Sequence, residues 1–205
     1  MVESIDNIIQ TAVLLVCTFA AANLAFREKS RAWTFLAFFF ASFALDDLYL
    51  VLCLLTVGDS ATLTVAADLG WYAAFIFLYF LVRQTAPPDG TEKKHFLPWL
   101  APVFTMGMAV FFMQWGEVVS NLIYGMLFGL VMFTAVSRLT GGERYRKQRP
   151  LCAAVLLLCF LEYALWTISC FFHEDALTNP YYLADFLITL TFPLFFPVTR
   201  KAVEA

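Results

Sequence analysis

All 13 lysines and arginines of this 205-residue chain fall in four segments, residues 27–31, 83–94, 138–149 and 200–201. Between and before those segments lie seven apolar runs, at about 8–26, 33–57, 61–82, 96–113, 118–136, 151–172 and 181–198. At 1.5 Å per helical residue, ~20 residues cross the ~30 Å hydrocarbon core of a bilayer. The basic segments follow runs one, three, five and seven. The segments after runs two, four and six, and the seven residues before run one, carry no Lys or Arg. Positive charge collects on the cytoplasmic side of membrane helices. The pattern therefore predicts an all-α membrane protein with seven transmembrane helices, N-terminus out and C-terminus in, multi-pass in the cell inner (plasma) membrane.

Composition agrees, at 61% hydrophobic and 14% charged residues, against about 25% charged in soluble domains. Seven runs leave no room for a soluble catalytic or nucleic-acid-binding domain, so the bilayer is the main partner and nucleic acid is excluded. The opening MVESIDN is acidic and lacks the positive region of a secretory signal, so the first helix is expected to stay uncleaved. Paired glycines in run five, Gly125 and Gly129, form a GxxxG that admits a close helix neighbour. Pro102 inside run four is expected to bend it, and Asn179-Pro180 reads as an N-cap with proline at the first helical position.

Shifting the chain by 117 residues lays run three on run seven without a gap. Phe43 meets Phe160, Leu48 meets Leu165, Cys53 meets Cys170, Ala67-Asp68 meets Ala184-Asp185, Phe75 meets Phe192 and Arg83 meets Arg200. The expected organisation of the single domain 1–205 is two parallel three-helix units, 1–84 and 117–201, joined by an inverting linker helix, 95–114. This 3+1+3 layout resembles that of the SWEET sugar transporters, a resemblance of architecture. The texture of FALDDLYLVLC and AADLGWYAAFIFLYFL is similar to the seven-helix sensor modules of bacterial signalling proteins.

Run two poses the functional question. Its 25 residues contain two charges, the adjacent Asp46 and Asp47, the first of them 15 positions after Arg31. An ionised carboxylate at that depth costs roughly 2.5–3.5 kcal/mol on insertion scales, an expensive choice for a helix that only has to span. Glu162 lies just as deep in run six. Such groups must be protonated, share a proton, bond to Tyr or Trp, or face water. Asp68, Glu117 and Asp185 lie nearer outer helix starts, where the helix dipole favours negative charge. Glu117, Asn121 and Tyr124 share a stripe, and Trp166 follows Glu162 by one turn. No Lys or Arg accompanies these groups inside a run. The candidate ligand- or proton-binding set is Asp46, Asp47, Asp68, Glu117, Asn121, Glu162 and Asp185. Asp46 and Glu162 are expected to approach one another, with Asp68 and Asp185 nearer the mouth of the cavity.

Other chemistries find no support. No run contains a lysine for a retinal Schiff base, and His95 and His173 belong to opposite ends. Asp46-Asp47-Leu48-Tyr49-Leu50 lacks the third acid of a prenyl-diphosphate motif, and no serine has a general base in register. The five cysteines lie in or at the ends of apolar runs and read as small hydrophobes. The expectation is no enzyme, no cofactor and no metal. It is a small transporter, proton-linked, for a polar or cationic solute held in an outward-facing acidic cavity. The alternative is a seven-helix sensor that signals through a cytoplasmic protein partner.

Overall fold

The computed structural model describes residues 2–56, 64–86 and 96–204. The helices are α1 (Val2–Glu28), α2 (Arg31–Thr56), α3 (Thr64–Gln84), α4 (Leu100–Phe112), α5 (Val118–Leu139), α6 (Arg149–Ser169), α7 (Pro180–Thr191) and α8 (Phe195–Val203). No strand occurs among the described residues. A 3₁₀ turn, Phe192–Leu194, joins α7 to α8 where Pro193 interrupts the α-helical ladder. Five helices, with α7 and α8 taken as one rod from Pro180 to Val203, are long and apolar enough to cross a membrane. The segment between runs two and three, the start of run three at 61, and Lys93, Lys94 and His95 lie outside the described residues.

Two boundaries differ from the sequence reading. Helix α1 begins at Val2, not near Ile8, so Glu3, Asp6 and Asn7 are helical. The fourth apolar helix is shorter than expected, running from Leu97 to Phe112 with a 3₁₀ first turn. Pro102 accordingly falls in the first turn of α4, where it has no intrahelical donor to lose. Asn179 caps α7 as read, its side chain accepting from the Tyr181 N–H at 2.9 Å.

Packing follows from where each helix puts its rings. On α2 the buried positions include Ala32, Trp33, Leu36, Phe39, Phe40, Phe43, Asp46 and Asp47, the i, i+3, i+4, i+7 rhythm of one helix face. The opposite side is apolar and bare, as on α1, where Phe19 and Phe26 are 73% and 84% exposed. An apolar exterior of that kind suits lipid. The GxxxG of α5 is occupied by α4. A Cβ on Gly129 would come within 2.8 Å of Thr105 Oγ1, and one on Gly125 within 2.8 Å of the Ala109 Cβ.

Contacts between helix ends set direction. The Glu3 N–H donates to Asp175 Oδ1 at 3.0 Å, and Glu28 at the far end of α1 pairs with Arg200 on α8 at 3.0 Å. Helix α1 and the α7–α8 rod therefore run parallel. Asp68 near the start of α3 is bonded by Ser120 and Tyr124 near the start of α5, so α3 and α5 are parallel too. One end of the bundle carries Lys29, Arg31, Arg144 and Arg200, and the other carries Glu3, Glu117, Glu174 and Asp175.

Candidate functional site: a buried carboxylate cluster

Helix α2 reaches the middle of the bundle with Asp46 and Asp47 at 8% and 4% exposure. Neighbouring residues on a helix point about 100° apart, and here that divergence serves two sides. Asp46 looks towards α3, within Coulombic range of Asp68. Asp47 looks towards α6, α7 and α1, within range of Glu162, Asp185 and Asp6. Glu162, 2% exposed on α6, closes the arrangement because it lies within range of both Asp185 and Asp46. The Trp71 indole of α3 is in side-chain hydrogen-bonding range of Glu162. Helix α3 comes this close because Gly70 has no side chain, and a Cβ there would meet the Asp46 Cβ at 3.1 Å and Ser42 O at 3.0 Å.

The two flanks are held differently. Asp185, 4% exposed, accepts from Gln10 Nε2 at 2.8 Å, and the same nitrogen reaches Thr189 Oγ1 at 3.1 Å. Asp6 on α1 is within hydrogen-bonding range of Asp185, although its buried Oδ2 has no donor. On the other flank Asp68 accepts from the Tyr124 hydroxyl at 2.5 Å and from Ser120 Oγ at 3.0 Å. Beside it a cavity of about 230 Å³ is lined by Phe112, Trp115, Asn121, Tyr124, Trp166 and Cys170, among others. Trp71, Tyr124 and Trp166 pack together there with centroids 4.5–5.0 Å apart, Trp71 and Tyr124 edge to face and the other two pairs tilted.

The electrostatics of the centre are unbalanced. Two like charges about 5–6 Å apart repel by ~3 kcal/mol at an effective dielectric of ~20. No Lys or Arg figures among the groups acting on Asp46, Asp47, Glu162 or Asp185. Arg138, 3% exposed, lies in the last turn of α5 beside Cys152, at the basic end, and cannot serve as counter-ion. Asp46 Oδ1 and Asp47 Oδ2 are buried with no hydrogen-bond partner. Such a centre is completed by protons or by an added cation. No group of three or more His, Cys, Asp or Glu is arranged to hold a metal ion among the described residues.

Of the residues singled out from sequence, Asp46, Asp47, Glu162 and Asp185 meet at the centre and Asp68 borders it. Asn121 lines the aromatic cavity instead, with Nδ2 buried and unpartnered. Glu117 is the exposed N-cap residue of α5 and makes no side-chain cap hydrogen bond. Asp6 and Gln10 were not foreseen. Their signal was a polar stripe, Glu3, Asp6, Asn7, Gln10 and Thr11, on the inward side of an otherwise apolar helix. Comparison with protein-family models, with curated proteins and with solved structures finds no match.

Proposed function

We propose that this protein is a proton-linked transporter of seven membrane spans, multi-pass in the inner membrane, that takes a small polar or cationic solute from its acidic end. One observation carries the reading. Helices α1, α2, α6 and α7 bring Asp6, Asp46, Asp47, Glu162 and Asp185 together with no basic side chain among them. A buried acidic centre of this kind costs stability, and intramembrane carboxyls that face the bundle interior mark ion or proton pathways by default. The flanks supply what a carrier needs beside a proton site, because the aromatic cavity at Tyr124 and Trp166 offers ring faces to an organic cation.

The 3+1+3 layout fits the same reading. Asp68 starts the third helix of the first unit and is held by the first helix of the second. Asp185 starts the third helix of the second unit and is held by the first helix of the first. That reciprocity supports two related units, and the gathering of Lys and Arg at one end supports an N-terminus outside.

The test is a panel of small amines and neutral polar solutes offered to proteoliposomes with a pH gradient and a trapped pH dye. At least one solute should move with protons, and Asp47→Asn and Glu162→Gln should each abolish the coupled flux. Absence of any solute-dependent proton movement, or variants that carry like the parent, would overturn the proposal.

A sensor acting through a cytoplasmic partner has one observation in its favour. A recess of about 590 Å³ opens at the basic end, lined in part by Lys29, Arg31, Thr85 and Arg144. Acidic protein segments suit such a surface. A purified protein that recruits a cytosolic partner but moves no solute would favour that reading.

A further inference from the structure

The cluster needs a way to exchange protons with water, and two seams lead out of it towards the acidic end. One lies between α3 and α5 and holds Asp68. The other lies between α1 and α7, and its construction is unusual for membrane helices. Over its first three turns α1 turns its polar side chains inward. Asn7, Gln10 and Thr11 are buried, whereas Ile5, Ile8 and Ile9 are about half exposed. From Leu14 onward the inward face becomes apolar, with Leu14, Cys17 and Ala21 buried. The polar stripe thus ends at the depth of Asp185.

Along this seam the acids are spaced as steps. At the surface Asp175 accepts from the Glu3 N–H at 3.0 Å and from the Tyr182 hydroxyl at 2.8 Å, and the carboxyl of Glu3 lies within Coulombic range of it. One turn further in, Asp6 faces Asp185. The Asp6 carboxyl lies in hydrogen-bonding range of the Asp185 carboxyl, and its Oδ2 is buried with no donor. Two carboxyl groups meet there, and a proton shared between them is what would join them. Gln10 holds Asp185 in place through Oδ1. Asp185 in turn is within Coulombic range of Glu162 and of Asp47, a residue 4% exposed whose Oδ2 has no partner.

We propose that the α1–α7 seam is a proton relay, running from Asp175 and Glu3 through Asp6 and Asp185 to Asp47 and Glu162. The α3–α5 seam is left to the solute. This rests on the proton-linked reading above. In each step a carboxyl O–H bond breaks and the neighbouring carboxylate gains the proton, so one proton moves inward and no other group changes. Gln10 is a positioning residue that fixes Asp185 and carries no proton itself. Other titratable side chains flank the route. Asp46 sits beside Asp47 on α2, with Asp68 of α3 and Tyr124 of α5 behind it. Cys159 of α6 adjoins Glu162, while Tyr181 of α7 faces Asp185 and Tyr182 bonds Asp175. None of these is basic.

The experiment is a rapid acid jump on the purified full chain in nanodiscs, followed by infrared difference spectroscopy of the carboxyl C=O stretch. Bands lost in Asp47→Asn and in Glu162→Gln assign the inner pair. Asp6→Asn and, independently, Gln10→Leu should slow the rise of those bands at least about tenfold, with Asp68→Asn leaving them at the parent rate. Inner bands that rise at the parent rate in both seam variants, or that slow only in Asp68→Asn, would overturn the relay and leave the proton-linked reading standing. Parent protein with no band that either inner variant removes would overturn both.

Discussion

Towards the basic end of the bundle the acid Glu28 finds a basic partner, and a layer of rings packs the helices above it. At the acidic end, buried carboxyls stand with oxygens that nothing donates to. Glu28 shows the first style, receiving the Trp33 indole N–H at 2.7 Å and Arg200 at 3.0 Å, with the guanidinium also over the Trp33 ring. Between that latch and the cluster lie Phe39, Phe40, Phe43, Phe192 and Phe195, with centroids 5.2–6.4 Å apart. The same helices, a few turns further along, carry Asp46, Asp47 and Asp185. The contrast teaches that stability and function are segregated by depth in this chain. The ring layer supplies packing, and the acidic layer spends some of it on groups an apolar core would not contain.

That division can be broken from the stable side. Phe192 is fully buried and touches three other rings of the layer. Phe192→Ala should cost about 3 kcal/mol or more, read as loss of thermal stability in detergent, and the void should let protons leak across vesicles. Crowding the α4–α5 contact is next in size. At Gly129 an added methyl meets Thr105 Oγ1 at 2.8 Å, so Gly129→Ala should destabilise by roughly 1–3 kcal/mol, whereas Gly107→Ala, with open space around it, should be neutral. Smallest is the latch. The Glu28 and Arg200 side chains are 39% and 53% exposed, and solvent screening limits Glu28→Gln to less than about 1 kcal/mol, read from the same melts.

How much of this was legible beforehand depends on the kind of signal. Helix existence was carried by long apolar runs and alternating charge, which survive any detail of packing. Asp46, Asp47 and Glu162 announced themselves because a carboxyl in an apolar run has no cheap explanation. Asp6 and Gln10 did not, because residues before an apolar run read as a solvated tail. Their role appears only when α1 starts at Val2 and turns that stripe against α7. Glu117, read as part of a stripe with Asn121 and Tyr124, shows the converse limit. A shared stripe gives direction, not depth, and at the helix cap the side chain remains exposed. Nothing in the spacing of Asp46 and Asp47 told which neighbour each would meet. Gly70 decides that, by letting α3 close on Asp46.

The most direct test of the contrast is one variant measured two ways. Asp47→Asn removes a buried acid without changing shape, at a position where one oxygen has no partner. Thermal stability and proton-linked flux are to be followed on the same purified preparation. If the acidic layer exists for function, the melting temperature should stay within about 2 °C of the parent or rise, and coupled flux should be lost. A melting temperature that falls by several degrees while flux persists would make Asp47 a structural tie and contradict the account.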